Sequence, residues 1–266
     1  MTAPIATPAL PWITAAAGLL EEVATTQAEA IETASQWSAA AIAADGLVHL
    51  FGTGHSRIPV EEMFPRYGSY PGFNPIVELS MTFHTQVVGA NGQRQAMFIE
   101  RTPGLAEVIL GNFTFSPHDI VMVFSAGGTT AVPVEFARGA RARGLKVIAV
   151  TSVQQSMSSS IDPVVGSRLL DEADLVLDLC TPHADAMIDI DGLDTPVGPG
   201  STISAVAIVN SIKVRTAQLL VEQGVMPPVL TRGSVVGADR SRVLFDAAYR
   251  EHARRLARAI GQRGGG

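Results

Sequence analysis

Continuous apolar runs alternate with amphipathic stretches along most of this chain. Four apolar runs predict buried strands: LVHLF (47–51), DIVMVFS (119–125), KVIAVTS (146–152) and ADLVLDLC (173–180). Strands of this kind, when helices separate them, are typical of a parallel sheet covered by helices on both faces. The pattern therefore predicts an α/β fold.

The stretches around these strands predict the covering helices. Residues 12–44 are rich in Ala and Glu, contain no Pro, and predict one long helix or a helical pair. Residues 201–224 predict another long helix that ends at Gly224. Further predictions are short helices at 57–64, 104–113 and 132–144, a closing helix near the C-terminus, a loop at 66–75 and a candidate edge strand at 186–190.

Small and hydroxyl-bearing residues follow three of the predicted strands. They are Gly52, Thr53, Gly54 and Ser56 after the first, Ser125, Gly127, Gly128, Thr129 and Thr130 after the second, and Thr151 and Ser152 after the third. Ligands of parallel sheets bind at the carboxyl ends of the strands. Glycine lets the backbone approach a ligand, and a following helix N-terminus offers free N–H groups. These segments predict an oxyanion cradle without Lys or Arg, the alternative being that the glycines serve only tight corners.

The same segments do not fit the common nucleotide motifs. G-T-G-H-S-R lacks the third glycine of G-x-G-x-x-G, and the acids Glu61 and Glu62 follow far too soon to meet a ribose. No G-x-x-x-x-G-K-[ST] string occurs. We therefore do not expect a nucleotide ligand.

Composition and charge narrow the classes of partner. The chain has 266 residues, of which 47% are hydrophobic and 17% charged, and this suits a well-buried core. A formal net charge of −6 argues against nucleic acid and anionic lipid as partners. No apolar run is long enough to span a bilayer, so we expect no membrane partner.

The single cysteine, Cys180, allows no intrachain disulfide and predicts a reducing, cytoplasmic location. It follows an apolar run, and we expect a buried, inert thiol. Residues 1–11 lack the features of a secretory signal, and we expect a flexible leader there.

The two glycine-rich segments, GTGHS and SAGGTT, carry a resemblance to a known family. Together with VPVEFARGARARGLKVIAVTS, ERTPGLAEVIL, the segment around His84, VGPGSTISAVAIVNSI and VEQGVMPPV, they resemble the sugar isomerase (SIS) domain. The resemblance is greatest to bacterial phosphoheptose isomerase-like and uncharacterised SIS-domain proteins. It covers about residues 10–240, nearly the whole chain.

The resemblance implies a fold and an assembly. The fold is a three-layer α/β/α sandwich with a mainly parallel, five-stranded, flavodoxin-like sheet, preceded by N-terminal helices. Residues 12–240 would form one SIS domain with its N-terminal helical extension, and residues 241–266 a C-terminal helix and a loose tail. SIS domains usually form homodimers or tetramers, which places the expected site near a subunit interface.

The resemblance also implies a ligand, a small anionic sugar. SIS proteins typically bind a phosphate with S-x-S-G-x-[ST], and Ser125, Gly128 and Thr130 match that loop. Gly127 stands where the second Ser is typical, which removes one hydroxyl donor that the Thr129 hydroxyl or a backbone N–H could replace. Phosphate, sulfonate and an unphosphorylated sugar therefore stay open as ligands.

The chemistry implied is aldose–ketose isomerisation through an enediol, which needs a base beside the carbonyl carbon. In similar enzymes a Glu on the helix after the first glycine turn does this work, and Glu62 is the preferred candidate here. His55, His84 and His183 are the further catalytic candidates. The alternatives are that Glu62 is a solvated acid near a helix N-terminus and that His84 is a buried structural histidine.

No cofactor and no metal are expected. The histidines and Cys180 show no paired ligand spacing, and the acid-rich loop of His183, Asp185, Asp189 and Asp191 is more typical of a solvated loop than of a cation site. The predicted function is a sugar-phosphate isomerase. The alternatives are an SIS-type lyase, deglycase or etherase, and a non-catalytic phosphosugar-binding regulatory module.

Overall fold

The computed structural model describes residues 10–82 and 93–260. Its centre is a sheet of five strands: β1 (Val48–Gly52), β2 (Phe73–Ile76), β3 (Ile120–Phe124), β4 (Lys146–Thr151) and β5 (Leu175–Asp178). All neighbouring strands pair in parallel, in the order β2-β1-β3-β4-β5. The predicted α/β fold with a five-stranded parallel sheet is confirmed.

One of the five strands, β2, lies largely where the sequence predicts a loop. β2 occupies Phe73–Ile76 and pairs with β1, with Pro75 opposite Leu50. Proline lacks the N–H of a ladder bond, so it is tolerated only on an edge strand such as this one. The segment at 186–190 does not join this sheet: β6 (Ala186–Ile188) pairs with β7 (Val197–Pro199) in a separate antiparallel hairpin.

Helices precede, connect and follow the strands. They are α1 (Pro11–Thr26), α2 (Ala28–Ala43), α3 (Ile58–Met63), α4 (Gln93–Ile99), α5 (Leu105–Leu110), α6 (Ala131–Ala142), α7 (Val153–Ser158), α8 (Ser201–Glu222), α9 (Gly233–Val236) and α10 (Ala238–Ile260). The N-terminal stretch is thus a helical pair, one of its two predicted forms. None of the described helices has both the length and the hydropathy that a bilayer span requires.

Alternate residues of each strand face two separate cores. Met122 and Phe124 of β3 pack with Ile208 of α8 on one face, while Val121 and Val123 pack on the other face against α6. Burial of one such side chain contributes about 1.5–3 kcal/mol, so both faces stabilise the sheet. This confirms the predicted three-layer arrangement, with α8 in one helical layer and α6 in the other.

The sheet order brings the two glycine-rich segments together. β1 and β3 are direct neighbours, and Gly52 pairs with Phe124 at their carboxyl ends. The segments that follow, 53–56 and 125–130, therefore leave the same edge of the sheet side by side.

Candidate functional site

A cleft of 300 Å³ lies over the carboxyl ends of the strands. Most of the predicted ligand-binding residues line it: Thr53, Gly54, His55, Ser56, Ser125, Gly127, Gly128, Thr129 and Thr130. The remaining lining residues are Glu100, Ala126, Asp185, Pro199, Ser201 and Thr202. The cleft is therefore bounded by the N-terminal end of α6 on one side and that of α8 on the other.

The loop from Ser125 to Thr130 presents backbone donors to this cleft. Ser125 Oγ accepts a hydrogen bond from the N–H of Gly128 at 3.2 Å and so fixes the turn. Within the described residues, the N–H groups of Gly127, Thr129 and Thr130 donate to no protein acceptor. Helix α6 begins directly after them and adds the positive end of its dipole. These donors are arranged for an oxyanion.

Two glycines of this loop differ in what they allow. Gly128 has a φ of +61°, and a Cβ there would lie 2.8 Å from Oγ1 of Thr151. A Cβ at Gly127 would have Nε2 of Gln155 as its nearest neighbour, at 3.7 Å, which is ordinary contact. The turn therefore requires glycine at position 128, whereas position 127 has room for a side chain.

Glu100 is an acidic residue of the cleft that was not among the predicted site residues. It follows α4, and its carbonyl oxygen accepts the N–H of Val132 at 2.9 Å, which ties it to the start of α6. Its carboxylate accepts a hydrogen bond of 2.5 Å from the Thr53 hydroxyl. Burial raises the pKa of Glu100 above its usual value, although the Thr53 bond opposes the shift. The available signal was its position at the start of the ERTPGLAEVIL stretch.

Glu62 lies outside the cleft lining. Its carboxylate forms an ion pair with Arg66 at 2.7 Å and accepts from the amide of Asn210 of α8 at 3.4 Å. Lys213 Nζ donates to the carbonyl oxygen of Glu62 at 2.7 Å. Glu62 is directed toward α8 because α3 packs its buried residues against that helix and the sheet. This position matches neither the expected place in the cleft nor a solvated acid in the first turn of α3, where Glu61 stands instead. We therefore consider Glu100 as the base.

The three candidate histidines have different positions. His55 is exposed and lines the cleft. His183 is also exposed but is not among the lining residues, and its Nδ1 lies 2.5 Å from the Ser158 hydroxyl. His84 lies outside the described residues. Of the two described histidines, His55 lines the same cleft as the loop from Ser125 to Thr130, which we call the cradle loop.

Three of the predicted ligand-binding residues do not line the cleft: Gly52, Thr151 and Ser152. They contact the backbone of neighbouring segments instead. A Cβ at Gly52 would lie 2.3 Å from the carbonyl oxygen of Ser56, so this glycine serves the tight corner. The Thr151 hydroxyl donates to the carbonyl of Ala126 at 3.1 Å, and the Ser152 hydroxyl donates to that of Thr181 at 2.9 Å. Both hydroxyls hold backbone, because they are fully buried.

Asp185 forms the wall on the α8 side. It has a left-handed backbone with a φ of +62°. Its Oδ1 accepts the N–H groups of Ser201 at 2.7 Å and Gly200 at 3.1 Å, and its Oδ2 accepts the Ser201 hydroxyl at 2.7 Å. The carboxylate therefore caps the 22-residue helix α8 from outside it.

The described residues contain no cluster of metal-ligating side chains, and Cys180 lies outside the cleft lining. In residues 10–82 and 93–260, no three His, Cys, Asp or Glu side chains group in a way that could hold a metal ion. Cys180 is not a lining residue, and burial raises the pKa of its thiol, which disfavours the reactive thiolate.

Comparison with known proteins places this geometry in a family. A model described as the SIS domain matches residues 11–152, more than half of the chain. This chain belongs to the SIS-domain family. A UPF0309 protein of Listeria monocytogenes serotype 4b is 32% identical over 233 residues, which cover 88% of this chain and 92% of that protein. A UPF0309 protein of Streptomyces avermitilis is 32% identical over 228 residues, which cover 85% of this chain and 88% of that protein.

Among solved structures, this SIS domain is similar to a phosphoheptose isomerase from Francisella tularensis, with 16% identity and a TM-score of 0.49 over 78% of this chain and 95% of that one. The family match of residues 11–152 contains Glu100 and the cradle loop. It ends before Asp185 and Ser201, so the α8 side of the cleft lies beyond it.

Proposed function

We propose that this SIS domain isomerises a small anionic sugar through an enediol, with Glu100 as the base. The observation that carries the proposal is a carboxylate of raised pKa in the same cleft as a loop of unpaired amide donors. A base near the working pH and a fixed anion are the two requirements of this chemistry.

The cradle loop would hold the substrate through its anionic group. The N–H groups of Gly127, Thr129 and Thr130 donate to the oxyanion, and the hydroxyls of Thr129 and Thr130 add to them. Such fixation presents the sugar carbonyl and its neighbouring carbon to the rest of the cleft. Phosphate and sulfonate both fit the donor set.

Glu100 would then move the proton. Its carboxylate takes the proton from the carbon beside the carbonyl, the electron pair forms the enediolate, and the carboxylic acid returns the proton to the former carbonyl carbon. His55, at the same cleft, is placed to exchange the proton between the two oxygens. No atom is gained or lost overall, so no co-reactant is needed.

The environment of Glu100 suits this role better than that of Glu62. Burial makes the Glu100 carboxylate a stronger base, and the Thr53 hydroxyl holds its orientation. The carboxylate of Glu62 is occupied by Arg66 and Asn210. Assembly as a homodimer or tetramer, with the site near the interface, stays a prediction.

Turnover in heavy water tests the proposal. Fructose 6-phosphate, heptose phosphates, a sulfonated hexose and the free sugars form the panel, and NMR detects deuterium at C1 or C2. Glu100→Gln should lower the exchange rate about 10²–10⁴-fold, because the general base is lost. Glu62→Gln is the matched control and should stay near the wild-type rate. In the wild type, kcat/KM should fall as pH drops, at a pKa above the usual Glu value.

Three results would contradict the proposal. Binding without exchange, seen as a thermal shift for a panel member, would favour the regulatory module. Cleavage or elimination products without isomer would favour the lyase, deglycase or etherase. Equal loss in both Glu variants would remove Glu100 from its assigned role.

A further inference from the structure

The two walls of the cleft belong to opposite layers of the fold. The cradle loop precedes α6, which packs in one core, and Asp185 caps α8, which packs in the other. Both walls line the same 300 Å³ cleft, so a ligand held by the cradle loop shares that space with Asp185.

The Asp185 carboxylate has acceptor capacity left for such a ligand. Its two oxygens accept three hydrogen bonds, from Gly200 N–H, Ser201 N–H and the Ser201 hydroxyl. A carboxylate offers about four acceptor positions. A sugar hydroxyl can donate a hydrogen bond to the remaining position. A second anionic group of the ligand has no proton to donate there, and the carboxylate offers it no donor.

The charge around the cleft points the same way. Within the part of the chain that the structure describes, the ionisable lining side chains are Glu100, Asp185 and His55, and no Lys or Arg is among them. The amide donors of the cradle loop can satisfy one anionic group. A second negative charge on the ligand would face carboxylates without a neutralising cation, which is unfavourable.

We propose that Asp185 determines specificity by binding sugar hydroxyls and by disfavouring ligands with a second negative charge. The substrate class is accordingly a polyhydroxy compound with one anionic group, and sugar bisphosphates and phosphorylated sugar acids are excluded. This inference rests on the proposed function in one respect, namely that the cradle loop holds the first anion.

Calorimetric binding of two size-matched ligands tests it. Glucitol 6-phosphate and 6-phosphogluconate are both open-chain, six-carbon 6-phosphates that differ at C1, an alcohol against a carboxylate. Wild-type protein should bind glucitol 6-phosphate at least about tenfold more tightly, because like charges oppose the second ligand. Asp185→Asn should bring the ratio of the two dissociation constants to within about threefold.

Two further variants make the result decisive. Asp189→Asn removes the same charge from an exposed residue that does not line the cleft, and it should keep the wild-type ratio. Asp185→Gly also removes the charge and accepts the φ of +62° without strain, but it deletes the cap of α8. If neither Asp185 variant folds, the wild-type ratio measured at low and high salt decides, because salt should screen the repulsion and bring the two dissociation constants closer together.

The binding results distinguish a failure of the Asp185 role from a failure of the anion site in the cradle loop. An unchanged ratio in both folded Asp185 variants, or equal binding of the two ligands by wild type, overturns the inference and leaves the cradle intact. Binding of neither ligand by wild type overturns the proposed cradle, and the inference with it.

Discussion

The two ends of the sheet differ in whether their polar groups have hydrogen-bond partners within the protein. At the amino end, buried His49 has Nε2 3.1 Å from Oδ2 of Asp119 and Nδ1 3.0 Å from the amide of Asn74. Asp119 also accepts the N–H groups of Leu47 at 2.7 Å and Ser116 at 2.8 Å. At the carboxyl end, the N–H groups of Gly127, Thr129 and Thr130 have no protein partner among the described residues.

Cavity volume does not distinguish the two ends. Hollows of 270 and 240 Å³ border Asp119 at the amino end, close to the 300 Å³ of the cleft. Charged groups of these hollows have contacts within the protein: Arg255 donates to the carbonyls of Ile42 and Gly46 at 3.0 and 2.7 Å, and the Lys146 ammonium lies 4.4 Å from the centre of the Trp37 ring. Amide donors that line one cleft beside a helix N-terminus are therefore a better indicator of an anion site than cavity volume.

The largest expected effect concerns the amino end. Asp119→Ala removes the acceptor of three donors, those of Leu47, Ser116 and His49, and leaves them buried without partners. The free energy of unfolding should fall by about 3–5 kcal/mol. Urea denaturation at pH 7 measures it, and a loss below about 1 kcal/mol would contradict the structural role of this pair.

Glu100→Gln is the matched control at the carboxyl end. Burial raises the pKa of Glu100, so the folded state disfavours its ionised form, and this reduces stability above the usual carboxyl pKa. The Gln variant should therefore unfold no more easily than wild type at neutral pH. Its stability gain should vanish in acid, where Glu100 is protonated in both states.

Asp119 has the opposite dependence on pH. Burial alone would raise its pKa, but the hydrogen bonds from His49, Ser116 and Leu47 outweigh burial and lower the pKa. Its contribution is present above the unfolded carboxyl pKa and is lost as the pH falls through the lowered folded value. The stability difference between wild type and Asp119→Ala should narrow in acid.

The next effect sharpens the comparison within the cradle loop. Gly128→Ser places a side chain at a φ of +61° and 2.8 Å from the Thr151 hydroxyl. It should lower the free energy of unfolding by about 1–3 kcal/mol. Thermal unfolding with and without inorganic phosphate measures both stability and binding.

Gly127→Ser is the comparison variant, and it should change stability less than Gly128→Ser does. The nearest neighbour of its Cβ is at 3.7 Å, so stability should change by less than about 0.5 kcal/mol. The added hydroxyl should tighten phosphate binding about tenfold, since a charge-assisted hydrogen bond contributes about 1.5–3 kcal/mol. Weaker binding by this variant would show that the anion lies elsewhere.

The main fold was predictable from the sequence because the strands form continuous apolar runs, and β1, β3 and β4 are almost fully buried on both faces. β1, β3, β4 and β5 were all found in the predicted runs. β2 was missed because Pro75 and the surrounding Gly and Asn residues have the composition of a loop, and only the edge position makes that composition compatible with a strand.

The candidate site was predictable where it is local in sequence. The loops 53–56 and 125–130 can be recognised in the sequence because each has glycines and hydroxyl-bearing residues directly after a strand. Glu100 and Asp185 were not predictable in this way, because they reach the cleft through tertiary contacts with Val132 and Ser201. Glu62 was favoured because the resemblance to SIS proteins implies a Glu on the helix after the first glycine turn, and a position on a helix does not specify the direction of the side chain.

The central claim is that the N–H groups of Gly127, Thr129 and Thr130, which have no partner among the described residues, hold the anion of the ligand. Amide chemical shifts test it most directly. Inorganic phosphate, then fructose 6-phosphate, would be titrated into isotope-labelled protein while the backbone ¹H–¹⁵N signals are followed. The account predicts the largest shifts at Gly127, Thr129 and Thr130, with the amides around Leu47 and Ser116 unchanged. Shifts concentrated at the amino end of the sheet, or none in the cradle loop at saturating ligand, would contradict it.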